Sequence, residues 1–385
     1  MGPRAATHSG RALCFCRPPL YRLPLLPFLS PSRPRALPRT LTQLPPLFAG
    51  ISSAATPPPL SGVEHQPLAK GTQLNSVLGK SYVIDEVLSR RRDSDRLLCV
   101  YRASHEGKLF ILKDIFPGHF EYNISLQEHV KHSPHVRTTV DSIPDRYILV
   151  FPHLEKDLHH IKTAALSPAA KKGIIRDSLV GLANLHDKHI IHSDIKPTNI
   201  MMDSFKQVNG ELGFRNVQIT DLEAALVLPP EAIGVTDRLS GNCFWRSPEA
   251  WARGAQNTPS DIYSFGIVAI FTWTGRMVFC SDEATRASSE ARAQLILRLH
   301  LSYFAREMED FEGFINYHSG HRDPFVERLK ALLCTFNEEN PRLPFSGWQH
   351  IDSQLRDLVC RMTCMDPLRR ITAREALQHP WFAED

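Results

Sequence analysis

From about residue 80 onward the apolar positions change period along the chain. Ser81–Ser89 (SYVIDEVLS), Arg96–Ser104 (RLLCVYRAS) and Lys108–Ile115 (KLFILKDI) are short, β-rich runs. Polar segments separate them, Arg90-Arg91-Arg92-Asp93-Ser94-Asp95 and His105-Glu106-Gly107, which predicts a meander of antiparallel strands. A helix is expected at about 120–132, and then a buried strand over Asp145–Pro152 (DRYILVFP), where the apolar run is continuous. After Leu166 the spacing becomes helical, predicting helices at Pro168–His186, Ser260–Trp273, Ala284–Met308, Asp323–Leu333, Ile351–Met365 and Ala373–Gln378. The layout is a small β-rich lobe followed by a larger helical one, an α+β arrangement without internal repeats. Residues 300–350, around His318-Ser319-Gly320-His321, read as a loosely patterned insert.

Charge and proline set the first segment apart. The chain has 385 residues with 45 Lys+Arg and 41 Asp+Glu, a formal charge of +4. Residues 1–63 hold seven arginines, no lysine and no acid, so the remainder carries 38 basic and 41 acidic side chains, or −3. The basic balance therefore belongs to the leader and gives no reason to expect a nucleic-acid partner. The same segment holds 13 of the 29 prolines, which remove backbone donors and block regular packing. Residues 1–79 are expected to form a disordered Pro/Arg-rich leader, with the folded domain at 80–385. An Arg-rich, acid-free start suits a mitochondrial transit peptide, whereas this proline density spoils an amphipathic helix. The expected location is cytoplasmic, with a mitochondrial address as the alternative. No run approaches 18 uninterrupted apolar residues, so no spanning helix is expected. The eight cysteines are scattered without paired C-x-x-C spacing and read as reduced, packed thiols.

The densest polar cluster is Ile191-His192-Ser193-Asp194-Ile195-Lys196-Pro197-Thr198-Asn199, between an apolar helix and the short strand Ile200-Met201-Met202. It puts a carboxylate, an ammonium and an amide within six residues, on a loop pinned by proline. Such a set suits positioning a hydroxyl, a phosphate and a metal around one point. Val217-Gln218-Ile219-Thr220-Asp221 ends a second strand in a carboxylate, a hard-oxygen ligand suited to Mg²⁺.

Together these segments resemble the eukaryotic protein kinase family over about residues 80–385, with a likeness to divergent kinase-like proteins of filamentous fungi. Asp194 and Asn199 stand at the H-R-D-x-x-x-x-N spacing, and Lys196 follows Asp194 by two as in Ser/Thr-type kinases. Asp221-Leu222-Glu223 takes the place of D-F-G, and Ser247-Pro248-Glu249 that of A-P-E. Asp261-Ile262-Tyr263-Ser264-Phe265-Gly266, Asp366-Pro367-Leu368-Arg369-Arg370-Ile371-Thr372 and His379-Pro380-Trp381-Phe382 follow in family order. The resemblance implies a bilobal protein-kinase fold, with an antiparallel β-rich N-lobe at about 80–152 and a mainly helical C-lobe at about 153–385. It further implies ATP- and Mg²⁺-dependent phosphorylation of Ser/Thr hydroxyls on a protein substrate, by a chain expected to be a monomer.

By the same resemblance, Lys113 would hold the α- and β-phosphates of ATP and Asp194 would accept the substrate hydroxyl proton. Lys196 would neutralise the γ-phosphate, while Asn199 and Asp221 would bind Mg²⁺. Val150 to Leu154, with Phe151 and His153 among them, would form the hinge that contacts adenine through backbone groups. Asp157 stands between a ribose ligand and an exposed helix-start carboxylate. Glu249 is expected to pair with Arg370, Asp261 to brace the catalytic loop, and His192 to be a packed, hydrogen-bonded support.

Four positions depart from the family pattern. No G-x-G-x-x-G lies between Ser81 and Arg102, where Arg90 to Asp95 stand instead. The helix position expected to carry the glutamate partner of Lys113 is Asn123, with Glu121 and Glu128 nearby. Glu223 replaces the permissive glycine of D-F-G. Ser193 replaces the arginine that pairs with a phosphorylated activation segment, so Thr236 and Ser240 are not expected to be an on-switch. The rival reading is a pseudokinase scaffold that binds partners with weak or no catalysis. A small-molecule phosphotransferase is disfavoured by Ser247-Pro248-Glu249 and the Asp366 to Thr372 ending.

Overall fold

Strand pairing follows the period-2 runs closely. The computed structural model describes residues 66–93, 96–208, 210–305, 308–318 and 323–383. Of the disordered leader expected at 1–79, residues 1–65 lie outside the described residues, as do 94–95, 209, 306–307, 319–322 and 384–385, whereas 66–79 are described and are part of the folded domain.

Strands β1 (Gln73–Asn75), β2 (Ser81–Asp93), β3 (Arg96–His105), β4 (Lys108–Asp114), β5 (Asp141–Ile143) and β6 (Ile148–Pro152) form one sheet in the order β1-β2-β3-β4-β6-β5. Its paired neighbours run antiparallel, as expected. The inward residues Tyr82, Ile84, Cys99, Tyr101, Leu112, Ile148 and Val150 form the N-lobe core. Two boundaries differ from the sequence reading. Gln73–Asn75 pairs with Val83–Ser81, so the sheet begins before residue 80. Arg90–Asp93 is strand, paired with Cys99–Arg96, because the hairpin ladder continues past the body of the sheet as a two-stranded ribbon. On the β2 side Arg90, Arg91 and Arg92 are all exposed, so this strand end shows no hydrophobic alternation to read, while its partner β3 buries Leu98 and Cys99.

Helix α1 (Phe120–Glu128) lies between β4 and β5. The larger lobe opens with β7 (Lys156–Asp157) and α2 (Pro168–His186), which starts where predicted because Ser167 caps the Ala170 N–H and Pro168 fits the first turn. Short pairs follow: β8 (Ile190–Ile191), β9 (Ile200–Lys206), β10 (Leu212–Ile219) and β11 (Leu226–Val227). They form the ladders β10-β9-β7 and β11-β8.

Next come α3 (Pro248–Trp251) and the buried helix α4 (Thr258–Thr274), which Gly275 ends at φ +71°. The single helix expected at Ala284–Met308 is broken into α5 (Asp282–Arg286), α6 (Ser289–Phe304) and α7 (Met308–His318). Ala287 is extended at φ −69°, ψ 153°, and Ser288 caps a new start at the Ala291 N–H. The lobe finishes with α8 (Pro324–Leu333), α9 (Ser353–Met362) and α10 (Ala373–Leu377). The opaque 300–350 stretch is part of this body, since Leu301, Phe304, Phe314, Val326, Leu329 and Phe345 join the main core. No helix among the described residues is long and apolar enough to cross a membrane.

Candidate active site

The polar loop between β8 and β9 is held from below by one carboxylate. Asp261, in the first turn of α4 and buried, accepts hydrogen bonds from the His192 N–H at 2.7 Å and the Ser193 N–H at 2.9 Å. His186 Nε2 reaches the same carboxylate at 3.1 Å. Two backbone donors on one side chain fix the loop at Ser193, which adopts a left-handed φ of +66°. His192 is fully buried; its Nε2–H donates to the Thr220 carbonyl at 2.9 Å and its Nδ1 accepts the Asp194 N–H at 3.2 Å. A carbonyl can only accept and an amide N–H only donate, so the ring is the neutral Nε2–H tautomer. The imidazole ties the loop to the end of β10, the supporting role that its sequence context suggested.

Asp194 is thereby presented with its carboxylate partly exposed, its side chain 19% accessible. Lys196 Nζ lies 2.5 Å from Asp194 Oδ2, the Asn242 N–H donates to Oδ1 at 3.1 Å, and Asn199 Nδ2 donates to the Asp194 carbonyl at 2.9 Å. Gly241 passes close by at φ +73°, and a Cβ there would stand 3.0 Å from the Ser193 carbonyl. Both facts call for glycine. Because the Asn199 amide nitrogen is committed to Asp194, its side-chain oxygen is the atom left for a cation.

The second carboxylate, Asp221, follows β10 at φ +69°. Lys113 on β4 lies 2.6 Å from Asp221 Oδ1 and 2.9 Å from Glu223 Oε1. Arg91, on the β2–β3 ribbon, approaches the other Glu223 oxygen at 3.4 Å. Burial works against the Lys113 ammonium, but Asp221 and Glu223 outweigh it and raise its pKa above the ordinary value. Burial likewise pushes the Asp221 carboxyl up, and the Lys113 ammonium, by its charge and its hydrogen bond and with Lys196 behind it, overcomes this to hold it below the usual carboxylate value.

The partner of Lys113 is thus not on the helix. Asn123 is buried on the cleft wall and donates to the His119 carbonyl at 2.9 Å, while Glu128 pairs with Lys131. The glutamate in the glycine position of the D-F-G segment supplies the charge instead.

Lys113, Asn123, Asn199, Asp221 and Glu223 line one cleft of about 170 Å³ with Val100, Ile111, Phe151, Thr220 and Arg137, whereas Asp194 and Lys196 lie outside its lining and join it through Asn199. Lys113, Asn199 and Asp221 share it as expected, and Phe151 forms part of its wall. His153 and Asp157 do not line it. Asp157 caps the short helical turn Leu158–His160, accepting from the His160 N–H at 3.1 Å and facing His160 Nδ1 at 2.8 Å. That geometry is the helix-start alternative. Arg137 was not foreseen. It is buried, donates through Nε at 2.9 Å and through Nη2 to the Pro152 carbonyl, and reaches the Met201 sulfur at 3.6 Å. Its guanidinium sits 5.5 Å from the Phe151 ring centre. Burial pushes it down to about 10, which leaves it charged at neutral pH.

Beyond the cleft, Ser247 caps α3 and Glu249 forms a buried ion pair with Arg370, with contacts of 2.6 and 3.2 Å. Ser260 Oγ donates to Glu249 at 2.8 Å, and Arg370 also donates to the carbonyls of Pro259 and Cys364, so the pair is well satisfied. It ties the Ser247-Pro248-Glu249 segment to the C-terminal end of the lobe.

A β-rich lobe over a helical lobe, with Lys113, Asp194, Lys196, Asn199 and Asp221 converging at their junction, defines the protein-kinase class. The chain matches the family described as protein kinase domain over residues 111–382, and it belongs to that family. Among curated proteins it is similar to the serine/threonine-protein kinase ssn3 of Aspergillus clavatus, at 26% identity over 67% of this chain and 64% of that protein. A probable cyclin-dependent serine/threonine-protein kinase of Dictyostelium discoideum is also 26% identical, over 70% of this chain and 18% of that protein. The chain spans about six tenths of the length of the Aspergillus relatives. Among solved structures, a chain of the yeast RNA Pol II CTD kinase CTDK-1 complex shares the fold. Its TM-score is 0.59 at 19% identity, covering 85% of this chain and 97% of that one.

Proposed function

We propose that the chain transfers the γ-phosphate of ATP, with Mg²⁺, to Ser or Thr hydroxyls of a protein substrate. The observation that carries this reading is the retained set around the cleft. Asp194 is presented on a braced loop with Lys196 beside it, and Lys113 and Asp221 are already paired at 2.6 Å.

The donor set fits a divalent cation of the hard, oxygen-seeking kind. Asp221 offers a carboxylate and Asn199 an amide oxygen, its nitrogen being engaged elsewhere. Two protein oxygens suit Mg²⁺, which keeps waters and takes phosphate oxygens for the rest. Bound there, the cation would supply neutralisation of charge on the transferring phosphoryl group.

The chain's own residues then do the positioning. Lys113 holds phosphate oxygens while Asp221 and Glu223 hold Lys113. Asp194 orients the substrate hydroxyl and takes its proton, and the Asn242 N–H on Oδ1 fixes the carboxylate for that task. Lys196 balances charge beside Asp194. The catalytic contribution is preorganised charge and orientation. In place of glycine-rich backbone donors, the ribbon brings Arg91 to the mouth of the cleft.

The test is phosphate transfer from MgATP to a Ser/Thr substrate by wild type and by Asp194→Asn. Transfer lost in the variant supports the kinase reading, and equal signals overturn it. The pseudokinase reading draws on Glu223, which engages Lys113 as a fixed ionic partner, and on the narrow cleft. Nucleotide binding without transfer would favour it.

A further inference from the structure

The base end of the cleft carries an unusual charge. Arg137 is 6% exposed; among the described residues its hydrogen-bond partners are the Pro152 carbonyl and the Met201 sulfur, and the carboxylate that acts on its charge, Asp203, does so from beyond ion-pair distance. The Pro152 carbonyl takes two of the Arg137 N–H groups, and the Met201 sulfur is a weak acceptor. A guanidinium has five N–H donors, so two remain without a partner here and a third is held only by sulfur. Burying a cation with spare donors is costly unless a ligand completes it.

Pro152 lies in the strand end expected to meet a purine through backbone groups. Having no N–H, it can contribute only its carbonyl, and Arg137 has taken that acceptor. A 6-amino purine needs an acceptor at this edge and would find donors instead. A 6-oxo purine presents O6 and N7, two adjacent acceptors that match a guanidinium fork. The cleft volume of about 170 Å³ is below the roughly 300 Å³ at the low end of small-molecule pockets, consistent with a side chain occupying part of the base slot.

We propose that Arg137 is a specificity residue of the nucleotide site, which turns the base slot from an acceptor into a donor edge and admits 6-oxo purine nucleotides at least as well as ATP. This rests on the reading that the cleft holds a nucleoside triphosphate. Two donors facing O6 and N7 discriminate by roughly tenfold or more over a mismatched edge.

The experiment is a calorimetric titration of the full chain with MgATP, MgGTP and MgITP, the last carrying O6 without the 2-amino group. Wild type is expected to bind GTP and ITP at least as tightly as ATP. Arg137→Val frees the Pro152 carbonyl and is expected to shift the preference toward ATP by tenfold or more. Arg137→Lys keeps the charge, loses the fork, and is expected to shift it part of the way, which serves if the valine variant fails to fold. A wild type that prefers ATP, a ratio unchanged in the folded variants, or no binding of any of the three overturns the proposal. Base-selective binding without phosphate transfer would sink the kinase reading and leave this one standing. ATP-driven transfer with selectivity untouched by Arg137 would do the reverse.

Discussion

Glu223→Gln tests whether the carboxylate beyond Asp221 holds Lys113 in place of a helix glutamate. The two side chains meet at 2.9 Å, each 22% exposed, so the contact is screened less than a surface pair. A hydrogen bond to a charged group contributes about 1.5–3 kcal/mol. Lys113 keeps Asp221 at 2.6 Å, which places the expected loss near the lower end, about 1.5 kcal/mol. At roughly 2–4 °C per kcal/mol for a domain of this order, the melting point should fall by about 3–6 °C.

The decisive measurement is a urea double-mutant cycle with Lys113→Met, expected to show a coupling of about 1 kcal/mol or more. The pH dependence has a definite sign. Lys113 is raised above its ordinary value of 10.5, so its pairing contributes fully below 10.5 and is lost as pH rises through the higher folded value. The gap between wild type and Glu223→Gln should therefore stay level from pH 6 to 9 and close only in strong alkali. Additive losses, within about 0.5 kcal/mol, would refute the pairing.

Other outcomes follow from the same geometry. Glu249→Gln leaves Arg370 charged and buried, and urea unfolding should show a loss of about 3–5 kcal/mol; near-neutral stability would deny the pair its structural role. Gly241→Ala forces a side chain at φ +73° against the Ser193 carbonyl, so stability should drop by about 1 kcal/mol or more and phosphate transfer by more than binding. His300 is fully buried and pushed down to about 3 by burial, while an unfolded His protonates near 6.5. The unfolded state therefore binds the extra proton as pH falls from 6.5 to 3, costing about 1.4 kcal/mol per pH unit; His300→Gln should flatten the acid limb of the stability curve, and an unchanged slope would contradict this.

The fold and the meeting of Lys113, Asn199 and Asp221 in one cleft were legible because their signals are local. Asp194, Lys196 and Asn199 lie within one loop, and the period-2 runs around Lys113 announce its strand. Other features depend on meetings that spacing does not encode. Glu223 reaches Lys113 across 110 positions, from a loop onto a strand, so a search confined to α1 could return only Asn123, Glu121 and Glu128, none of which pairs with Lys113. Arg137 partners a carbonyl, a sulfur and a ring rather than a carboxylate, which leaves no charge pattern to find. The arginines of β2 read as a turn because all three are exposed and the buried residues of the ribbon, Leu98 and Cys99, sit on the facing strand. The break at Ala287 was readable: Ser288 followed by Ser289-Glu290 is a helix-start signal inside an otherwise continuous amphipathic run.

The Arg91–Glu223–Lys113 chain gives the cleft two hinges of unequal strength on a single carboxylate. The inner arm is short and sheltered, whereas Arg91 is 63% exposed and stands at 3.4 Å. Salt screens the outer arm and hardly reaches the inner one. Ionic strength thus acts as a dial on the lip of the cleft alone: it loosens the ribbon from the lower lobe while Lys113 keeps its seat. On the proposed nucleotide reading, residence time becomes a function of salt, and the alignment of the phosphates does not.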